Sequence, residues 1–245
     1  MRVIRLYIDA PLRPGADIAL PDAAAAHLTR VLRQGAGDPC VLFNGDGNDY
    51  PGRITAAGKR ETRVAVGAAK PVDRESTLRI CLLQGVARGE KMDLILQKAT
   101  ELGVDEIRPL FSERSEVKLD ASRAEKRLLH WRSVVVSACE QSGRARIPAV
   151  HAPASLAEAL EALAAGGARM ILDPEGTIAL RGMEAPGEQP VVLAVGPEGG
   201  WSERDREQLA RAGFTGLRLG PRILRTETAG LAAIAVLQAR FGDLG

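Results

Sequence analysis

Beyond about residue 72 the chain alternates short apolar runs with segments of helical period, and this alternation restricts the possible folds more than any other feature. The apolar runs cover 78–83, 107–111, 170–172, 191–195 and 217–219. Strands separated by helices must be joined by crossovers, so the pattern predicts an α/β domain with a mostly parallel sheet. Met92, Ile95, Ala99 and Leu102 share one helical face, and Gly103 follows as a stop. A second helix is read over 122–141 and a short amphipathic one over 156–165. The last spans 226–241, with Thr226 as N-cap and Glu227 in the first turn, where the helix dipole favours a carboxylate.

The first part of the chain has a different grammar. Apolar runs at 3–8, 40–43 and 62–66 are broken by turn signals, among them Asn44-Gly45 and Asp46-Gly47, which tolerate positive φ in a hairpin. This predicts a small β-rich domain, interrupted by one or two helical turns over 22–32 capped by Asp22. Residues 70–76 read as a polar linker, which divides the 245 residues into domains 1–72 and 73–245.

Several function classes lose support at this level. Cys40, Cys81 and Cys139 are far apart and odd in number, so neither a disulfide framework nor a zinc site is indicated. His27, His130 and His151 share no metal-ligand spacing, and no metal is expected. Asp9 and Pro11 interrupt the stretch where a secretory apolar region would run. Apolar runs such as 231–237 fall well short of the roughly 18–20 residues that cross a bilayer. The expectation is a cytoplasmic protein without a membrane partner.

Two irregular stretches carry the chemistry. The run Val191–Val195 ends in Gly196-Pro197-Glu198-Gly199-Gly200, and a helix opens at Ser202-Glu203. Glycines there let backbone N–H groups approach a ligand at the C-terminal edge of an open sheet. A plain strand-to-helix turn is the alternative. Neither this stretch nor Gly85–Lys91 fits a nucleotide-binding fingerprint, which disfavours a Rossmann-type enzyme or a nucleotide hydrolase. The second stretch, 220–229, places Arg225, Thr226 and Glu227 at a helix start, where an anion or a base could be held or where the groups only cap.

Charge is unevenly distributed. The whole chain carries a formal +2, yet 108–146 has nine cations against five acids, and 1–72 has ten against seven. Positive charge therefore gathers where a phosphate backbone could lie, although a solvated helix face is also consistent. Aromatics make up only 3% of the chain, which disfavours a long base-stacking platform.

Together, KMDLILQKATELGV at 91–104, Ser112–Ser115, Glu140–Arg144, GPEGG at 196–200 and LGPRILRTETA at 219–229 closely resemble the ribosomal RNA small subunit methyltransferase E (RsmE) family of SPOUT methyltransferases. The resemblance spans essentially the whole chain, including His27, Val31-Leu32-Arg33 and Gly35. It implies an N-terminal PUA-like β-barrel that binds RNA and a C-terminal α/β domain with a trefoil knot, which general connection rules argue against. It also implies a homodimer that moves a methyl group from S-adenosyl-L-methionine to N3 of a uridine in 16S rRNA, on the assembled small ribosomal subunit.

By motif, the implied cofactor pocket comprises Leu172, Gly196, Pro197, Glu198, Gly199, Gly200, Leu219, Gly220, Ile223, Leu224, Arg225 and Thr226. Uracil N3 carries a proton at neutral pH, so attack on a sulfonium methyl requires a base or stabilisation of the developing anion. Glu198 or Glu227 is the candidate base, and Arg225 the cation that steadies an oxygen or phosphate. Arg33, Arg88, Arg114 and Arg144 are the implied RNA contacts. Trp201 stands where Phe is expected and Arg88 where Lys is frequent; both keep the physical type. A related enzyme with another RNA target, or a binding factor without catalysis, would share this fold.

Overall fold

The computed structural model describes residues 3–58, 61–179, 182–187 and 189–245. Arg2, Lys59 and Arg60, which contribute to the charge counted for 1–72, lie outside the described residues. The chain divides into two compact units: residues 1–75 with 139–147, and residues 76–138 with 148–245.

In the first unit, β1 (Ile4–Tyr7), β2 (Asp17–Ala19), β3 (Pro39–Phe43), β4 (Asn48–Ala57) and β5 (Thr62–Val66) form a sheet in the order β1-β3-β4-β5-β2, with β6 (Lys70–Pro71) on β4. The β1–β3 pair is parallel and the others antiparallel. Alternation explains the core: Cys40 and Leu42 on β3 and Val64 and Val66 on β5 face inward with Leu6, Ile8, Leu28 and Ile54. Asn44–Gly47 form the β3–β4 connection, with φ of 89° and 91° at Gly45 and Gly47.

The helical segment expected over 22–32 is present over 22–31, but its winding changes part-way. Helix α1 covers Asp22–Ala26 and passes into a π-turn, His27–Val31, whose wider spacing lets the Leu32 amide reach the His27 carbonyl at 3.0 Å. Pro21 occupies the N-cap position, so Asp22 is the first helical residue and not the cap. The polar stretch after residue 69 is not all linker, because Lys70 and Pro71 pair with Asp49 and Asn48.

The second unit holds β7 (Ile80–Gly85), α2 (Glu90–Glu101), β8 (Glu106–Phe111), α3 (Ala121–Ser142, whose last residues belong to the first unit), β9 (Ala149–Val150), β10 (Ala154–Ser155), α4 (Leu156–Glu161), β11 (Arg169–Leu172), β12 (Ile178–Ala179), β13 (Val191–Val195), α5 (Glu203–Arg211), β14 (Thr215–Arg218) and α6 (Thr226–Phe241). The sheet runs β10-β8-β7-β13-β11-β14-β12, with β9 on β8, and every pair is parallel.

Both faces of this sheet are covered, as near-continuous apolar strands require. Cys81, Leu83, Val192 and Ala194 pack with α4 and α5 residues Leu156, Ala159 and Leu209. Val195, on the other face of β13, lies against α6, and α6 packs on α2. Helix α4 stops at Glu161, short of the expected residue 165. Thr226 is the first residue of α6, with Arg225 at the N-cap, because the Thr226 hydroxyl is used elsewhere. Among the described residues no helix is long and apolar enough to cross a membrane.

Candidate cofactor site

Strands β13, β11 and β14 are neighbours, and their C-terminal ends open into one cavity of about 610 Å³. Its walls come from three loops: Leu172–Pro174 after β11, Gly196–Trp201 after β13, and Leu219–Thr226 after β14. Loops at the carboxyl edge of a parallel sheet, where strand order reverses, form a natural ligand crevice. The volume falls within the ~300–1,000 Å³ usual for small-molecule sites. Every residue that the sequence motifs implied for the cofactor lines this cavity.

The loops are fixed by a buried polar chain. Thr226 Oγ1 donates to the Gly196 carbonyl at 2.5 Å. Its only proton is thereby committed, so it accepts from Gln84 Nε2 at 3.1 Å, while the same amide donates to the Gly85 carbonyl at 3.0 Å. Gln84 is fully buried and its Oε1 has no partner. Sequence reasoning missed Gln84, although a lone polar residue in the apolar run of β7 was the available signal. Gly85 was also missed: a Cβ there would lie 2.5 Å from the Pro197 nitrogen, so only glycine lets β7 touch the GPEGG loop.

Glu198 lines the cavity, and one oxygen of its carboxylate is occupied. Oε1 accepts from the Arg88 amide at 3.1 Å and from Lys91 Nζ at 3.3 Å. Partial burial pushes its acidity toward weaker, yet the Arg88 and Glu198 backbone N–H groups and Lys91 together outweigh that and hold its pKa below the ordinary carboxylate value. Glu227 behaves differently. It does not line the cavity, and its Oε2 is buried without a hydrogen-bond partner.

Helix α5 is anchored beside the cavity by a reciprocal cap, with Ser202 accepting from the Asp205 amide and Asp205 from the Ser202 amide. Arg206 from its first turn pairs with Asp173 on the cavity wall. Trp201 Nε1, also at the wall, is a buried donor without a partner.

The implied RNA contacts fall in different settings. Arg33 is exposed in the first unit with φ of 54°, the one positive value among described non-glycine residues. Arg88 is exposed and paired with Glu116, and Arg114 lines the cavity with its guanidinium 3.4 Å from the Gly199 carbonyl. Arg144 is a correction: it is buried and grips Glu75 through Nη2 at 2.5 Å and Nε at 3.1 Å, so it builds the first unit and offers no open cation to RNA.

Residues 74–238 match the family model of an RNA methyltransferase domain, and residues 20–66 that of an RNA methyltransferase PUA domain. Ribosomal RNA small subunit methyltransferase E of Buchnera aphidicola (subsp. Schizaphis graminum) is 33% identical over 244 residues, covering 99% of this chain and 98% of its own. The chain belongs to the ribosomal RNA small subunit methyltransferase E family. The Mycobacterium tuberculosis member is 32% identical, covering 98% and 94% of the two chains. The structure of the Neisseria gonorrhoeae member, bound to S-adenosyl methionine, superposes with a TM-score of 0.94 at 39% identity over the full length of both chains. A Legionella pneumophila methyltransferase in complex with the same cofactor gives 0.95 at 38% identity, again over both full lengths.

For an RsmE-family chain the cavity has suitable surfaces. Leu172, Val195, Leu217 and Leu219 supply apolar walls for an adenine, and the backbone of residues 196–200 supplies polar groups beside them.

Proposed function

We propose that this chain transfers a methyl group from S-adenosyl-L-methionine to N3 of a specific uridine in 16S rRNA, acting as a homodimer on the assembled small subunit in the cytoplasm. The observation that carries the reading is the cavity shared by the carboxyl ends of β13, β11 and β14, lined by the GPEGG and LGPRILRTETA loops. Under this reading residues 1–72 are a PUA-like β-barrel that binds RNA, residues 73–245 are the catalytic domain, and the chain end of that domain is threaded as a trefoil knot.

When bound, S-adenosylmethionine supplies an electrophilic methyl group on a sulfonium. Leu172, Leu217 and Leu219 would enclose its adenine, and backbone groups of residues 196–200 and 219–226 would hold its polar edges. Gln84 and Thr226 hold the two loops at fixed separation. Glu198 keeps the Arg88–Lys91 segment against the GPEGG loop. Glu227, one residue beyond Thr226 of the cavity wall and with no donor on Oε2, takes the uracil N3 proton once the first turn of α6 shifts toward the bound RNA, and Arg225 steadies an oxygen or phosphate of the RNA. Much of the acceleration comes from holding two bound reactants in line. Arg33, Arg88 and Arg114 contact rRNA.

The test is incubation with labelled S-adenosylmethionine and either small subunits or naked 16S rRNA from cells lacking the endogenous enzyme, followed by nucleoside mass analysis. New N3-methyluridine, formed better on subunits, is expected. Transfer to another atom, or cofactor binding with no transfer to either RNA, would overturn the target; no cofactor binding would indicate a non-catalytic RNA binder.

A further inference from the structure

The charges around the cavity do not balance. Of the acids on its wall, Asp173 is held by Arg206 and Glu198 by Lys91. Arg114, Arg222 and Arg225 also line it, and among the described residues none of the three forms an ion pair. Arg222 and Arg225 are exposed, and between them Ile223 is 86% exposed, which leaves its side chain open to a ligand.

The cofactor does not account for this surplus. S-adenosylmethionine carries a sulfonium, an ammonium and one carboxylate, so it brings a net positive charge of its own. Its carboxylate answers one guanidinium at most. An unbalanced cationic rim costs affinity for such a ligand, and it favours a polyanion. Guanidiniums suit phosphate oxygens through their forked donors, and an apolar side chain between them offers a contact for a base or ribose.

We propose that Arg222 and Arg225, with Ile223 between them, form a phosphodiester clamp that grips the RNA strand beside the target nucleotide. Filling the clamp neutralises the rim and raises affinity for the cationic cofactor relative to its neutral product, S-adenosylhomocysteine. By linkage, the cofactor strengthens RNA binding equally. The inference rests on the cofactor assignment above, and it adds the rim residues, their ligand class and the coupling.

The experiment measures binding of labelled 16S rRNA as a function of salt, and calorimetric titration with S-adenosylmethionine and S-adenosylhomocysteine, for wild type, Arg222→Gln and Arg222→Lys. Because Arg222 is exposed in a loop, the variants are expected to fold. Arg222→Gln should flatten the slope of log affinity against log salt by about 0.7–0.9 for the lost phosphate contact, and Arg222→Lys should restore it. Arg222→Gln should also tighten S-adenosylmethionine while leaving S-adenosylhomocysteine unchanged. An unchanged salt slope overturns the clamp. Parallel weakening of both small ligands overturns it too, by assigning Arg222 to the methionine carboxylate. Failure of the wild type to bind S-adenosylmethionine would instead overturn the cofactor reading, while the salt slope still decides the clamp.

Discussion

The Thr226 hydroxyl, on the first residue of α6, donates to the carbonyl of Gly196, thirty residues earlier at the end of β13, at 2.5 Å. This bond ties the two loops that line the cavity, and Gln84 fixes its direction. Thr226→Val keeps the shape but leaves the partly buried Gly196 carbonyl and the buried Gln84 amide each short of a partner, at about 1–3 kcal/mol. Cofactor affinity should fall at least about tenfold, which corresponds to 1.4 kcal/mol, whereas Thr226→Ser should retain it. Titration calorimetry on the two variants decides; equal affinities would mean that the bond does not set the site.

Gly85 makes the complementary steric prediction. A methyl at this position would meet the Pro197 nitrogen at 2.5 Å and the Gly196 carbonyl carbon at 2.9 Å, both backbone atoms that cannot rotate away. Gly85→Ala should displace the GPEGG loop at a cost of about 1–3 kcal/mol. It should weaken cofactor binding and lower the melting temperature together. A variant that melts and binds like wild type would show that the loop moves freely.

These two residues mark the limit of what the sequence revealed. Local signals were legible: α6 spans Thr226–Phe241 and β13 spans Val191–Val195, as the periodicity predicts, because both are long apolar runs with clear ends. Strand β4 was not, since Pro51 and Gly52 interrupt a ten-residue strand whose pairing on both sides overrides its weak propensity. The candidate cavity residues were legible as motifs. The partners that hold them were not, because Gln84 and Thr226 lie 142 residues apart and no local pattern encodes their meeting. Arg144 shows the same limit, for its cation was counted toward RNA while its acid, Glu75, lies 69 residues away.

Arg144→Ala therefore tests structure rather than recognition. Removing one partner of a buried, multiply bonded pair leaves Glu75 uncompensated and costs about 3 kcal/mol. At roughly 2–4 °C per kcal/mol for a chain of this size, melting should fall by about 6–12 °C. RNA affinity measured well below the transition should stay near wild type. Weakened RNA binding with unchanged melting would restore Arg144 to the contact set.

Glu198 predicts a pH dependence. Its carboxylate pKa lies below the ordinary value in the folded state, so ionisation favours the native loop. That contribution is complete above the ordinary carboxylate range and disappears as pH falls through the depressed value. Cofactor affinity should thus decline on acidification, while Glu198→Gln should bind more weakly at neutral pH and lack that acid-side decline. The comparison is a calorimetric titration series across the acidic range; an identical decline in both proteins would remove Glu198 as its source.

The two carboxylates can finally be separated by kinetics. Glu198 has Oε1 committed to the Arg88 amide and Lys91, and the charge pairing with Lys91 lowers its basicity. Glu227 keeps a buried Oε2 free of any donor, one residue past Thr226 of the cavity wall, so it serves as the base when the start of α6 shifts toward the RNA. General-base catalysis typically contributes 10²–10⁴-fold, so Glu227→Gln should lower kcat by about that factor with cofactor affinity retained. Glu198→Gln should mainly weaken cofactor binding and keep most of kcat at saturation. The measurement is single-turnover methyl transfer to small subunits with saturating cofactor. If Glu198→Gln loses kcat and Glu227→Gln keeps it, the roles are reversed; near-wild-type rates for both would remove carboxylate catalysis and leave positioning as the source of acceleration.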